Sequence, residues 1–126
     1  MKSQDVRQLI EQTTGQVQVA AALMAYAGLW LHEVAELRHG QIVYIGDVLL
    51  IEVGPGKDAR RSFAVAHGRL CKILSEHRGE PADLVVGWPI ARVLYELRRA
   101  MQSSGIKGSV YDLRDYYARL RYRDPY

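Results

Sequence analysis

At 126 residues, 48% of them apolar and 25% charged, the chain has the length of one domain over 1–126 and the material for an ordinary core, which excludes a disordered polymer. Seventeen Lys and Arg against 14 Asp and Glu leave a net charge of +3, which permits an anionic partner without implying histone-like, charge-driven binding. Cys71 is the lone cysteine, so no internal disulfide forms and a reducing compartment is the default. Neither the opening MKSQDVRQLIEQ nor the apolar run VAAALMAYAGLWL has the make-up of a signal peptide or a bilayer span, and the expectation is a soluble cytoplasmic protein with no membrane partner.

Val6, Leu9 and Ile10 fall at i, i+3, i+4, the spacing of a short amphipathic helix for which Ser3 is a candidate cap. Gln16 to about Ala27 is Ala-rich and nearly free of polar residues after Gln18, as in a helix buried on most sides; Gly28 ends it. LHEVAELRHG then predicts a second short helix closed by Gly40. The β-branched runs IVYIG and DVLLIEV meet at Gly46-Asp47, and RRSFAV follows the turn GPGKD. Connections this short predict three antiparallel strands within about Ile42 to Val65.

Helix returns from Arg69 to Glu76 with Leu70, Ile73 and Leu74 inward. Pro89 opens a longer one with Ile90, Val93, Leu94, Leu97 and Met101 on one stripe, and SSGIKG ends it. The last segment places Leu113, Tyr116, Tyr117 and Leu120 at i, i+3, i+4, i+7, which favours core tyrosines over a stacking platform. The fold class is mainly α with a small three-stranded antiparallel β-sheet.

That order, with the words it carries, resembles the catalytic domain of the tyrosine recombinase (phage integrase) family. YAGLWLHEVAELRHGQI looks like the first box, with Gly28, Leu29, Glu33, Leu37 and Arg38 in place. VLLIEVGPGKDARRSFAV looks like the hairpin that presents a catalytic lysine, here Lys57, although the usual slot is nearer Pro55. GWPIARVLYELRRAMQSSGIKGSVYDLRDYYARL looks like the approach to the second box, which reads Tyr111-Asp112-Leu113-Arg114-Asp115. The resemblance implies a recombinase catalytic core, and in that family two arginines and a lysine or histidine neutralise the scissile phosphate while a tyrosine attacks it.

The departures are as informative as the matches. Trp30 stands where the resemblance puts the first arginine, and an indole with one N–H donor does not replace a bidentate guanidinium on phosphate. The second arginine matches at Arg114, while Tyr111 takes the place of the usual histidine. The family's nucleophile follows well beyond the second arginine, and Tyr116, Tyr117, Tyr122 and Tyr126 stand too near Arg114 for that place. The expectation is therefore no recombinase activity, with Arg114, Lys57, Tyr111 and Glu33 as degenerate remnants of the site.

Bland readings stand beside these. Arg114 is a phosphate anchor or a partner of Asp112, Asp115 or another carboxylate; Glu33 is a supporting or capping carboxylate; Lys57 is a solvated turn residue; Trp30 fills with apolar surface the space of an arginine. His32, His39, His67, His77 and Cys71 lack metal spacing. GPGKDARR lacks the GxxxxGK[ST] frame of a phosphate loop, so neither a metal nor a cofactor is expected. The arginines of RLRYRDPY are a wet helix face or backbone contacts.

Two classes of function follow. One is a catalytically inactive, integrase-like module on the phosphate backbone of double-stranded DNA, a regulator or accessory factor of a mobile element, with Arg114, Lys57, Arg60, Arg119, Arg121 and Arg123 as its contacts. The other is a protein-interaction or oligomerisation module derived from such a domain, without DNA binding. The aromatic C-terminal stripe predicts a homodimer.

Overall fold

The computed structural model describes residues 1–46, 48–53, 61–65 and 67–123, with the backbone alone at 61–64 and 121–123. The GPGKD turn, with Lys57 and Arg60, lies outside the described residues, as does Tyr126.

Helix α1 (Ser3–Gln12) buries Val6, Leu9 and Ile10 on the face their spacing assigns. Its cap is Lys2 and not Ser3: the Lys2 amide donates to Asp5 Oδ2 at 3.3 Å, so a carboxylate one turn in answers an orphan N–H. Helix α2 (Gly15–Ala27) is buried without interruption from Val19 to Ala27. Being apolar all round, it takes the centre, and α1 and the later helices at Gly68–Ser75, Ile90–Ser103 and Asp112–Arg123 pack against it. Its alanines let those neighbours approach closely. Gly28, at φ +71°, ends α2 in the left-handed region, with its N–H on the Met24 carbonyl.

Helix α3 (Leu31–Glu36) is shorter than expected and is not closed by Gly40. Leu37 turns into the core, Leu37 and Arg38 run extended, and the chain from Leu37 to Gly40 passes beside residues 81–85. Val85 N–H donates to Leu37 O at 2.8 Å, His39 N–H to Asp83 O and Gly40 N–H to Pro81 O, both at 3.0 Å. Gly40 is there for close approach: a Cβ on it would meet the Pro81 carbonyl oxygen at 3.0 Å. A 3-10 turn at His39–Gln41 follows.

The sheet is as expected: β1 (Ile42–Ile45), β2 (Val48–Val53) and β3 (Arg61–Val65) form an antiparallel meander in the order β1-β2-β3. The register pairs Val43 with Leu50 and Leu50 with Ala64. Because successive side chains alternate faces, Ile42, Leu49, Ile51, Val53 and Val65 point inward, while Val43, Ile45 and Leu50 are exposed.

Helix α4 (Gly68–Ser75) buries Leu70, Ile73 and Leu74. Pro89 caps α5 (Ile90–Ser103), whose inward stripe is Val93, Leu97 and Met101, with Leu94 at the core's edge. Ile90 departs from the expected stripe and is 44% exposed, because the first turn of α5 projects beyond the elements it packs on. Gly105 closes α5 at φ +67°, with Ile106 N–H on Met101 O and Gly105 N–H on Gln102 O, a Schellman ending. Helix α6 (Asp112–Arg123) lies along α2, with Leu113 and Tyr116 buried and Tyr117 and Leu120 partly so. Of the tyrosines on its apolar stripe, Tyr116 is core, as the spacing implies, and Tyr117 is half-buried.

Candidate functional site

The left-handed turn at Gly28 brings the first and second boxes together. Tyr117 of α6 lies flat on Gly28, where a Cβ would sit 2.2 Å from Tyr117 Cδ1. This contact sets the height of α6 against the end of α2. One turn earlier on α6, Arg114 reaches the same loop and donates from Nε to Gly28 O at 3.2 Å. Its guanidinium carbon lies 3.6 Å from the centroid of the Trp30 ring, within cation–π range.

Trp30 is fixed from below. It precedes α3, its neighbours Leu29 and Leu31 are buried, and its amide donates to Glu33 Oε1 at 2.8 Å. Glu33 is thus the capping carboxylate that the sequence allowed. The residue is 42% exposed. It is a surface platform under a cation. Arg114 takes none of the carboxylates weighed for it: its partners among the described residues are the Gly28 carbonyl and the Trp30 ring. Asp112 instead accepts from Ser109 N–H at 2.8 Å.

Stacking uses the face of the guanidinium and leaves its edge. The Nη donors have no partner among the described residues, and such an edge matches the geometry of a phosphate. Tyr111 stands one turn before Arg114, 49% exposed, with its amide on Ser109 Oγ at 3.2 Å. The structure therefore brings Gly28, Trp30, Glu33 and Arg114 to one place, with Tyr111 one turn before Arg114.

Of the other candidate contacts, Arg119 alone has a described side chain, and it lies elsewhere. Arg119 donates from Nη2 to the Met1 carbonyl oxygen and lies over Tyr116, tying the chain's start to α6. Arg121 and Arg123 continue the backbone of α6; Lys57 and Arg60 are outside the described residues. Among the described residues no group of His, Cys, Asp and Glu is placed to hold a metal ion, and no helix is long and apolar enough to cross a membrane.

Two further aromatic contacts were not foreseen. His67 stacks on Tyr26 with ring centroids 3.8 Å apart, its Nδ1 buried without a partner among the described residues. Burial lowers the His67 pKa, and burial together with neighbouring Tyr116 raises that of Tyr26. On the outer side of α5, Arg92 lies 4.5 Å over the Trp88 ring; their i, i+4 spacing was the signal available for that pair.

The fold is that of the tyrosine recombinase catalytic core. The crystal structure of XerA recombinase superposes with a TM-score of 0.81 at 18% identity, covering 98% of this chain and 50% of that one. The integrase from mycobacterium phage Brujita gives 0.73 at 21%, over 90% and 40%. XerH site-specific recombinase bound to difH substrate, in a pre-cleavage complex, gives 0.75 at 12%, over 98% and 42%. The chain spans half or less of the length of each of these structures. The sequence matches no protein-family model and no curated protein.

Proposed function

We propose that this tyrosine-recombinase-like domain binds DNA through its phosphate backbone and does not cut it. The observation that carries the reading is the state of Arg114. The arginine that matches the second box is braced by the Gly28 carbonyl and the Trp30 ring, with its Nη edge turned to no other described residue. A braced guanidinium loses little freedom on meeting an anion, which favours phosphate contact. Cleavage needs more than one fixed positive donor around the phosphorus, where charge develops in the transition state. The residue at the first arginine's place is an uncharged indole, and that supports binding without chemistry.

Such a module fits a regulatory or accessory role at sites used by an active recombinase, on the DNA of a mobile element. Incubation with a suicide duplex substrate, followed by a denaturing gel, tests the chemistry. We expect retarded duplex in the native gel and no covalent protein–DNA adduct in the denaturing one. An adduct that disappears when one tyrosine is replaced by Phe refutes the reading.

A second reading, a protein-interaction module that self-associates, is favoured by the row Val43, Ile45 and Leu50 exposed on the outer face of the sheet. Sedimentation velocity of the whole chain tests it: a monomer at high micromolar concentration rejects it.

A further inference from the structure

We infer that the Trp30–Arg114 pair receives an unpaired nucleotide, its phosphate on the guanidinium edge and its base on the indole face. The inference rests on the DNA-binding reading and narrows it from duplex backbone to an exposed base with its phosphate: a single strand, a gap or an overhang.

The first ground is the state of the indole. A cation at 3.6 Å covers one face of the ring, and yet 42% of the residue is open to water. Backbone alone does not account for an exposure of that size, so indole surface is left open to solvent. An indole already polarised by a guanidinium on one side offers its other side as a stacking surface, and every base has a π-face to place there.

The second ground is rigidity. The Trp30 backbone is held by the Glu33 cap and by buried Leu29 and Leu31, and its ring by Arg114. Little side-chain freedom remains to be lost when a base stacks. The third is that a second exposed aromatic residue, Tyr111 at 49%, stands three positions before Arg114, just ahead of α6.

An intact duplex cannot use this surface. Its bases are stacked on each other and show only their edges in the grooves, so a stacking platform meets a base only where pairing is absent or lost. Charge alone works in the opposite direction, because neutralising phosphates releases more counterions from duplex than from a single strand. A preference for unpaired DNA thus separates stacking from electrostatics.

The test uses the whole chain carrying Trp88→Phe, which leaves Trp30 as its one tryptophan. Trp30 fluorescence and the anisotropy of labelled DNA are followed against an oligothymidylate, a blunt duplex of equal length and inorganic phosphate at one salt concentration. The oligothymidylate should quench Trp30 and bind more tightly than the duplex; phosphate alone should leave the emission unchanged. Trp30→Ala should remove the preference with a loss of roughly 5- to 150-fold in affinity for the single strand, the range carried by one stacked base. Trp30→Phe, which keeps an aromatic face, should retain part of it.

Equal affinity for duplex and single strand, or a Trp30→Phe or Trp30→Ala protein that keeps the full preference, overturns the inference while leaving backbone binding in place. Absence of binding to either DNA overturns the DNA-binding reading itself, and this inference with it.

Discussion

Replacing Gly28 by Ala tests the hinge on which the site is built. Two costs add. At φ +71° an L-residue enters the left-handed region, which costs roughly 1 kcal/mol relative to glycine. The new methyl would also sit 2.2, 2.5 and 2.8 Å from Cδ1, Cε1 and Cγ of Tyr117, so the ring, and with it α6, must shift. Overpacking of this kind costs about 1–3 kcal/mol. Together Gly28→Ala should destabilise the domain by about 2–4 kcal/mol, read as a lower urea midpoint at unchanged slope and a Tm lowered by roughly 10 °C. The double-mutant cycle with Tyr117→Ala separates the two terms: in that background Gly28→Ala should cost only the backbone part, about 1 kcal/mol. A cost below about 0.5 kcal/mol, within the range of a neutral surface change, or the same cost with and without the Tyr117 ring, refutes the packing argument.

Glu33→Ala removes the acceptor of the Trp30 amide and should cost about 0.5–2 kcal/mol, the range of a lost helix cap; Glu33→Gln, which keeps an acceptor, should cost less in the same urea titration. His67 predicts a pH dependence. Its burial disfavours the imidazolium in the folded state and lowers its pKa from the ordinary 6.5, so the unfolded chain binds more protons as the pH drops. The His67 contribution is then fully present above about 6.5 and is lost as pH falls through that value toward the lowered one. Urea midpoints compared between wild type and His67→Phe, which keeps a ring on Tyr26, should show the smaller acid loss in the variant. Equal acid loss in both would contradict the burial of a neutral imidazole.

The body of the fold was legible because its signals are local. An uninterrupted apolar run made α2 the central helix, and β-branched runs on either side of Gly46 fixed the strands and their alternation. The end of α3 was not legible: LHEVAELRHG reads as helix up to its glycine, but backbone pairing with residues 81–85 pulls Leu37 to Gly40 out of it. Propensity lost there to long-range hydrogen bonds. Ile90 keeps the helical period of α5, and only the absence of a packing element over the first turn leaves it exposed.

The site followed a similar division. The residues of both boxes could be named from their words, and Glu33 could be assigned as a cap from its place three residues after Trp30. The contact between Trp30 and Arg114 could not, because it joins segments far apart in sequence through a turn whose height is set by Tyr117 on Gly28. Sequence alone weighed Asp112, Asp115 or another carboxylate for the guanidinium, the first two as its neighbours in the chain; the fold supplies an aromatic ring instead.

The central claim is that Arg114, braced on Trp30, meets a DNA phosphate. The most direct measurement is the salt dependence of DNA binding for wild type and Arg114→Gln, by anisotropy over several unrelated sequences. The account predicts that the variant binds all of them more weakly by a similar factor, and that the slope of log K against log salt flattens by about 0.9 for a duplex phosphate contact, or about 0.7 on a single strand. An unchanged slope, or a loss confined to one sequence, would contradict it.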